Sequence, residues 1–192
     1  MKKAVALVLT GLFATSAFAG AADPGFYVGG GYGLMESKLE NKDRSYAPTF
    51  DGERSWRIYG GYAFNRIVSL EGGYTNYGAL TSDSKFTKGV EITPTALSLA
   101  ANLGYTFDNG IRPFATVGLS RVSAELKANG HSEDDSATGF RYGVGVEYMP
   151  AQIDGLGLRL AYEADAFNVD MAGVDTDTYN IGSLYLGASY KF

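Results

Sequence analysis

Eight stretches of this chain alternate, residue by residue, between a large apolar side chain and a small or polar one. Period two is the side-chain repeat of a β-strand; a helix brings the same face back only every three to four residues. The stretches are FYVGGGYGLM, SWRIYGGYAF, IVSLEGGYTNY, LSLAANLGYTF, IRPFATVGLS, FRYGVGVEYM, LGLRLAYEAD and SLYLGASYKF. One face carries residues such as Val28, Leu34, Ile58, Leu70, Leu99, Leu119, Val144, Leu160 and Leu186. The other carries Gly29, Gly31, Gly33, Arg57, Tyr59, Ser69, Glu71, Thr75, Ser98, Asn102, Arg112, Thr116, Ser120, Arg141, Glu147, Arg159, Glu163, Ser183, Tyr185 and Lys191.

The connections alternate in length. Asn65-Arg66, Asp108-Asn109-Gly110 and Pro150 to Gly155 are short and have turn chemistry. The other four are expected to be long polar loops, over residues 36–53, 78–90, 127–137 and 168–177. An even number of strands with short-long alternation is an up-and-down meander. Both ends of the sheet and the three short turns then lie at one end, and the long loops at the other.

The expected fold is all-β: an eight-stranded antiparallel up-and-down transmembrane β-barrel. A soluble barrel puts its apolar face inside, whereas a membrane barrel puts it outside. Eight strands enclose too little space for five large apolar side chains apiece, so the small, glycine-rich face fits the interior. Aromatic positions point the same way. Phe26, Tyr62, Phe64, Tyr105, Phe107, Tyr148, Tyr190 and Phe192 all fall at the short-turn end of the apolar face, as one periplasmic girdle. Trp56 and Tyr74 suggest a sparser ring near the loops. In hydrocarbon every backbone donor and acceptor needs a partner, and closure supplies them while removing sheet edges. Pro113 has no N–H to give, and its place near the short-turn rim accommodates it.

Composition supports this reading. The chain holds 26 glycines and 14 tyrosines and has no cysteine, so packing and hydrogen bonds must hold it together without disulfides. Residues 1–19, MKKAVALVLTGLFATSAFA, have the order of a secretory signal peptide: Lys2-Lys3, an apolar run, then Ala17-x-Ala19. The barrel domain is then expected over residues 20–192. Removing two lysines takes the formal charge from −5 to about −7, which disfavours nucleic acid as a partner.

Arg57, Glu71, Arg112, Arg141, Glu147, Arg159 and Glu163 form the expected lumen charge network. Charges enclosed there should pair by opposite sign or reach trapped water. Either a plug or a narrow ion path could result, and the small lumen favours the plug. No catalytic, cofactor or metal site is expected. His131 sits with Ser132 and Glu133 in ANGHSEDD, where adjacency on a loop does not make a converging triad. Glu133, Asp134 and Asp135 lack the ligand spacing of a calcium cage, and they read as solvated loop charge, as do Asp165, Asp170, Asp175 and Asp177. FYVGGGYG lacks the Lys-Ser/Thr of a phosphate loop.

The opening GFYVGGGYG after a leader and the closing YLGASYKF resemble the small outer-membrane β-barrel proteins of Gram-negative bacteria, the superfamily of the OmpA membrane domain and the OmpX/Ail-like barrels. The resemblance covers residues 25–192. It implies the cell outer membrane as location, with membrane lipid and lipopolysaccharide as surroundings. It implies Tyr190 and Phe192 as the aromatic-x-aromatic signal read by the outer-membrane assembly machinery. It also implies an internal network of paired arginines and acids, to which Glu71, Arg141, Glu147 and Arg159 are similar. The peptidoglycan-binding domain of full-length OmpA-type proteins is not in this sequence. The function expected is structural or surface-interacting, as a monomer, with a possible host or surface ligand at the loops. The alternative is a narrow channel for small solutes or hydrophobic molecules.

Overall fold

The computed structural model describes residues 20, 22–40, 54–78, 80–81, 91–128, 131–169 and 177–192. The leader, Asp170, Asp175 and much of three loops lie outside these residues. The elements are β1 (Gly25–Glu40), β2 (Arg54–Ala63), β3 (Val68–Asn76), β4 (Leu80–Thr81), β5 (Glu91–Gly104), β6 (Ile111–Ala128), β7 (His131–Tyr148), β8 (Leu156–Val169) and β9 (Asp177–Lys191). Each barrel strand pairs antiparallel with the next. β3 pairs directly with β5, and β1 pairs with β9 from Tyr27↔Lys191 to Glu40↔Thr178, so the sheet closes on itself. The two-residue β4 pairs with the loop end of β5 and is not part of the wall. Eight strands therefore form a closed antiparallel barrel.

Local chemistry fixes the short turns. Asn65 Oδ1 accepts from the backbone N–H of Ile67 and of Val68, at 2.8 and 2.9 Å, which closes the β2–β3 turn. Gly110 (φ +82°) and Gly155 (φ +77°) supply the left-handed positions of the other two. At the rim, Phe192 N–H donates to the Phe26 carbonyl at 2.8 Å, so the last residue is bonded to the first strand.

The wall is inside-out relative to a soluble protein. Leu97, Leu119 and Leu186 point outward and are 64, 65 and 69 % exposed, while Arg57, Glu71, Arg141 and Glu163 are buried. A contiguous apolar exterior of this kind is a surface built for hydrocarbon. At the short-turn end the rings touch in pairs: Phe26–Tyr62, Tyr62–Phe64, Tyr105–Phe107 and Tyr190–Phe192 have centroids 4.7–5.2 Å apart. Tyr148 is exposed on the same rim. Near the loops Trp56 packs against Tyr74 at 5.5 Å. Because Trp56 is the single tryptophan, its fluorescence reports one place. In vesicles of brominated phospholipid its emission is expected to be quenched, with little effect from aqueous iodide. Quenching by iodide alone would put this face in water.

Three features depart from the sequence reading. Residues 127–128 and 131–137 are strand, not loop: Lys127 pairs with Ser132 and Ala128 with His131, and the ladder runs unbroken to Val122↔Ala137. His131 and residues 133–135 thus lie on strand backbone. β1 likewise continues to Glu40. Apolar alternation vanishes where a wall leaves the membrane, but backbone pairing continues because it satisfies N–H and C=O groups whatever the side chains are. Further, Tyr77, Ala96, Val122 and Ile181 form a buried apolar cluster at the loop end, with Phe167 packed on it, while Arg121 on the outer face donates to Ser136 Oγ at 2.8 and 3.2 Å. Polarity there has reversed, as befits a wall standing in water. Finally Ala164, outward by alternation, is buried, and the Tyr162 ring lies over the neighbouring Gly182.

Candidate functional site: a charge chain along the barrel axis

Buried in the lumen are Arg57, Arg112, Arg141 and Arg159, with Glu71, Glu147, Glu163 and Asp165 against them. Each sits on an inward position of its strand. Cross-strand register brings three pairs face to face, Arg141↔Asp165, Glu147↔Arg159 and Arg112↔Glu147. Seven of the eight join into one line of alternating sign. From the loop end it runs Asp165–Arg141 (2.6 Å), Arg141–Glu163 (3.5 Å), Glu163–Arg57, Arg57–Glu71 (2.7 Å), Glu71–Arg159 (2.8 Å) and Arg159–Glu147 (3.3 Å).

Hydroxyls complete the acids. Tyr77 donates to Asp165 Oδ2 at 2.5 Å, Tyr185 to Glu163 Oε1 at 2.9 Å, Tyr27 to Glu71 Oε2 at 3.0 Å and Ser189 to Glu147 Oε1 at 3.1 Å. Arg141 also donates to Ser98 Oγ at 2.9 Å and to Thr75 Oγ1 at 3.4 Å. Ser55 on β2 and Ser183 on β9 bond each other over β1, the strand between them. Charges in so dry a space are tolerable only when paired and hydrogen-bonded in this way.

Rings fill the rest. Tyr27, Tyr59, Phe114, Ala161 and Tyr185 form a second buried cluster, midway along the axis. The Arg159 guanidinium lies 4.2 Å from the Tyr59 centroid and 5.0 Å from that of Phe114, within cation–π range. Inward glycines make the room. A Cβ on Gly29 would fall 2.5 Å from the Tyr59 ring, and one on Gly145 would fall 2.6 Å from Phe114. Each ring therefore lies over a strand that has no side chain beneath it.

Two small cavities border this packing, one at each end. One of about 10 Å³ lies on the loop side, beside Arg57, Arg141 and Glu163; another of about 30 Å³ lies at the short-turn mouth, beside Arg112, Arg159 and Glu147. That is space for one or two waters.

Six of the seven residues expected to carry lumen charge are thus in one chain. Arg112 is not. It faces Glu147 in the β6–β7 register, yet it donates instead to Asn102 Oδ1 at 2.7 Å and to the Asn102 carbonyl at 3.4 Å. Arg159 and Ser189 both reach Glu147 Oε1, and the Arg112 guanidinium turns to Asn102 on the strand at its other side. Asp165 corrects a second expectation. It is fully buried and is Arg141's partner, not solvated loop charge. Its position two residues beyond Glu163 on the same strand face was the available signal. Tyr27 and Phe114 are also inward and were not singled out. Tyr77 closes the stretch IVSLEGGYTNY two residues beyond inward Thr75, so period two carries the signal for it as well. Among the described residues no group of three or more His, Cys, Asp and Glu is placed to hold a metal.

Comparison with known proteins agrees with this architecture. The family model described as outer membrane protein beta-barrel domain matches residues 5–192. A protein of Haemophilus influenzae, described as an uncharacterized protein, is 30 % identical over 175 residues, covering 88 % of this chain and 93 % of that one. Outer membrane protein A of Escherichia coli O157:H7 is 29 % identical over 196 residues, covering all of this chain and 55 % of that protein. This chain therefore spans about half the length of that relative. Neisserial surface protein A superimposes with a TM-score of 0.67 at 18 % identity, over 87 % of this chain and 97 % of that one.

Proposed function

This chain belongs to the outer membrane protein beta-barrel domain family and resides in the outer membrane, and on that premise we propose that it is a closed, non-catalytic scaffold that displays its loop end at the cell surface. The observation that carries the reading is the alternating charge chain. Opening a path through it would separate several buried ion pairs at once, each of which leaves an uncompensated charge behind. The ring cluster around Arg159 and the apolar cluster under the loops add two further obstructions. What remains available for interaction is the collar of strand that stands beyond the membrane, together with residues 41–53, 82–90 and 170–176, whose length and polarity suit contact with a host or surface ligand.

Short epitope insertions test the surface half of this reading. At residue 45 and between residues 129 and 130, an inserted epitope is expected to be stained on intact cells with barrel assembly unchanged. At the Asp108-Asn109 turn it is expected to be stained only after the outer membrane is permeabilised. The opposite pattern of staining would invert the orientation and remove the proposed display role.

A further inference from the structure

The last inward side chain of the wall is a lysine, and it ends against the residues that precede the first strand. Lys191 on β9 is buried and borders the short-turn mouth. Its Nζ donates to the Gly20 carbonyl at 3.1 Å and to the Asp23 carbonyl. Those two carbonyls belong to one turn, closed by the Asp23 N–H on the Gly20 carbonyl at 3.1 Å. The Asp23 side chain folds back over the same turn, and its Oδ2 accepts from the Gly20 N–H at 2.9 Å. A Cβ at position 20 would fall 2.9 Å from that oxygen, so glycine lets the carboxylate lie against the backbone nitrogen. Pro24 then fixes the entry into β1.

Gly20 is also the residue that follows Ala17-x-Ala19, the expected end of the leader. Hydrolysis there by a leader peptidase breaks the bond between the Ala19 carbonyl carbon and the Gly20 nitrogen. Water supplies the oxygen that makes Ala19 a carboxylate, and the nitrogen leaves as an ammonium, with a usual pKa of about 7.7–8.0. The nitrogen that Asp23 holds as a neutral amide thereby gains a positive charge and two further N–H donors.

We infer that the processed N-terminus is a clasp on the barrel seam: the Gly20 ammonium pairs with the Asp23 carboxylate, and the turn locked in this way seats both its carbonyls on Lys191. β1 and β9 are the strands whose pairing closes the barrel, and the clasp lies just beyond the pair Tyr27↔Lys191, beside the Phe192 N–H bond to the Phe26 carbonyl. It fastens the first strand to the last from the periplasmic side. Removal of the leader therefore tightens the seam of the finished barrel, a contribution the precursor lacks. The clasp does not depend on whether the lumen conducts.

The test begins with the mature protein extracted from outer membranes. Its intact mass is expected to place Gly20 first, and a chain that starts elsewhere would overturn the clasp. The same protein in detergent micelles is then exposed to a broad-specificity aminopeptidase, which must draw the first residue into an extended conformation, and release of free glycine is followed. Release is expected to be about tenfold slower than from refolded Lys191→Met, the effect of losing a charge-assisted hydrogen bond. Equal rates would overturn the proposal. Should Lys191→Met not fold, Asp23→Asn, in the exposed turn, decides the matter through the pKa of the Gly20 amine, read by carbon-13 NMR after reductive methylation. In the folded protein the wild-type amine is expected to titrate about half a unit above that of Asp23→Asn, with the difference lost in urea. A difference that is absent from the fold, or as large in urea, would overturn the clasp.

Discussion

Replacing Arg141 with methionine is expected to remove on the order of 3–5 kcal/mol of folding stability, read as a lower urea midpoint for the protein refolded in lipid vesicles. The side chain is fully buried, and it donates to Asp165 through Nε at 2.9 Å and Nη2 at 2.6 Å. Its loss leaves Asp165 with the Tyr77 hydroxyl but without its cation, while Glu163 keeps Arg57 and Tyr185. The cost is therefore mostly that of one stranded carboxylate. Adding Asp165→Leu should restore much of the loss, because a buried pair replaced by apolar groups is often neutral. A double variant as unstable as the single one would show that the geometry of Arg141, rather than its charge balance with Asp165, carries the effect.

Gly118→Ala is expected to be nearly as damaging, although it adds one methyl. That carbon would fall 2.3 Å from the Leu99 carbonyl oxygen and 2.4 Å from Ala100 Cα. Both belong to β5, the hydrogen-bonded neighbour of β6, so relief requires moving the ladder. Overpacking of this kind costs about 1–3 kcal/mol or more. Gly72→Ala, on the outer wall, is the control. Its nearest neighbours would be backbone oxygens at 3.8 and 3.9 Å, so a change within about 0.5 kcal/mol is expected. Equal urea midpoints for the two variants would contradict the division of glycines into those the lumen packing requires and those it does not.

That division was half legible in the sequence. Period two assigned residues to faces, and once a face is buried the register is fixed along the whole strand. Arg57, Glu71, Arg141, Glu147, Arg159 and Glu163 could therefore be placed in the lumen from spacing alone. Partners could not be assigned, because which arginine reaches which acid depends on the stagger between strands. The Arg112–Asn102 contact shows the difficulty: the residue directly opposite Arg112 is Glu147, yet its guanidinium bonds Asn102 on the other side. Asp165 is obscured because the clear alternation of LGLRLAYEAD stops at that residue and further acids, Asp170, Asp175 and Asp177, follow it. Tyr77 continues the inward period of Glu71, Gly73 and Thr75, yet that period does not give its partner, Asp165. Residues 127–137 read as a loop because hydrophobic patterning records contact with lipid, and the paired ends of β6 and β7 have already left it.

Planar-bilayer recording of the refolded protein tests the closed lumen most directly. With the charge chain intact, the account expects no discrete conductance steps above the bare bilayer. Neutralising Arg57 and Glu71 together, in a variant shown to refold, should leave the bilayer silent as well, since the Tyr27, Tyr59, Phe114 and Tyr185 cluster still fills the middle of the lumen. Stable, discrete currents through the wild type that are altered by substitution of Arg141 or Glu71 would contradict the account, and would make the chain a gate across a narrow channel.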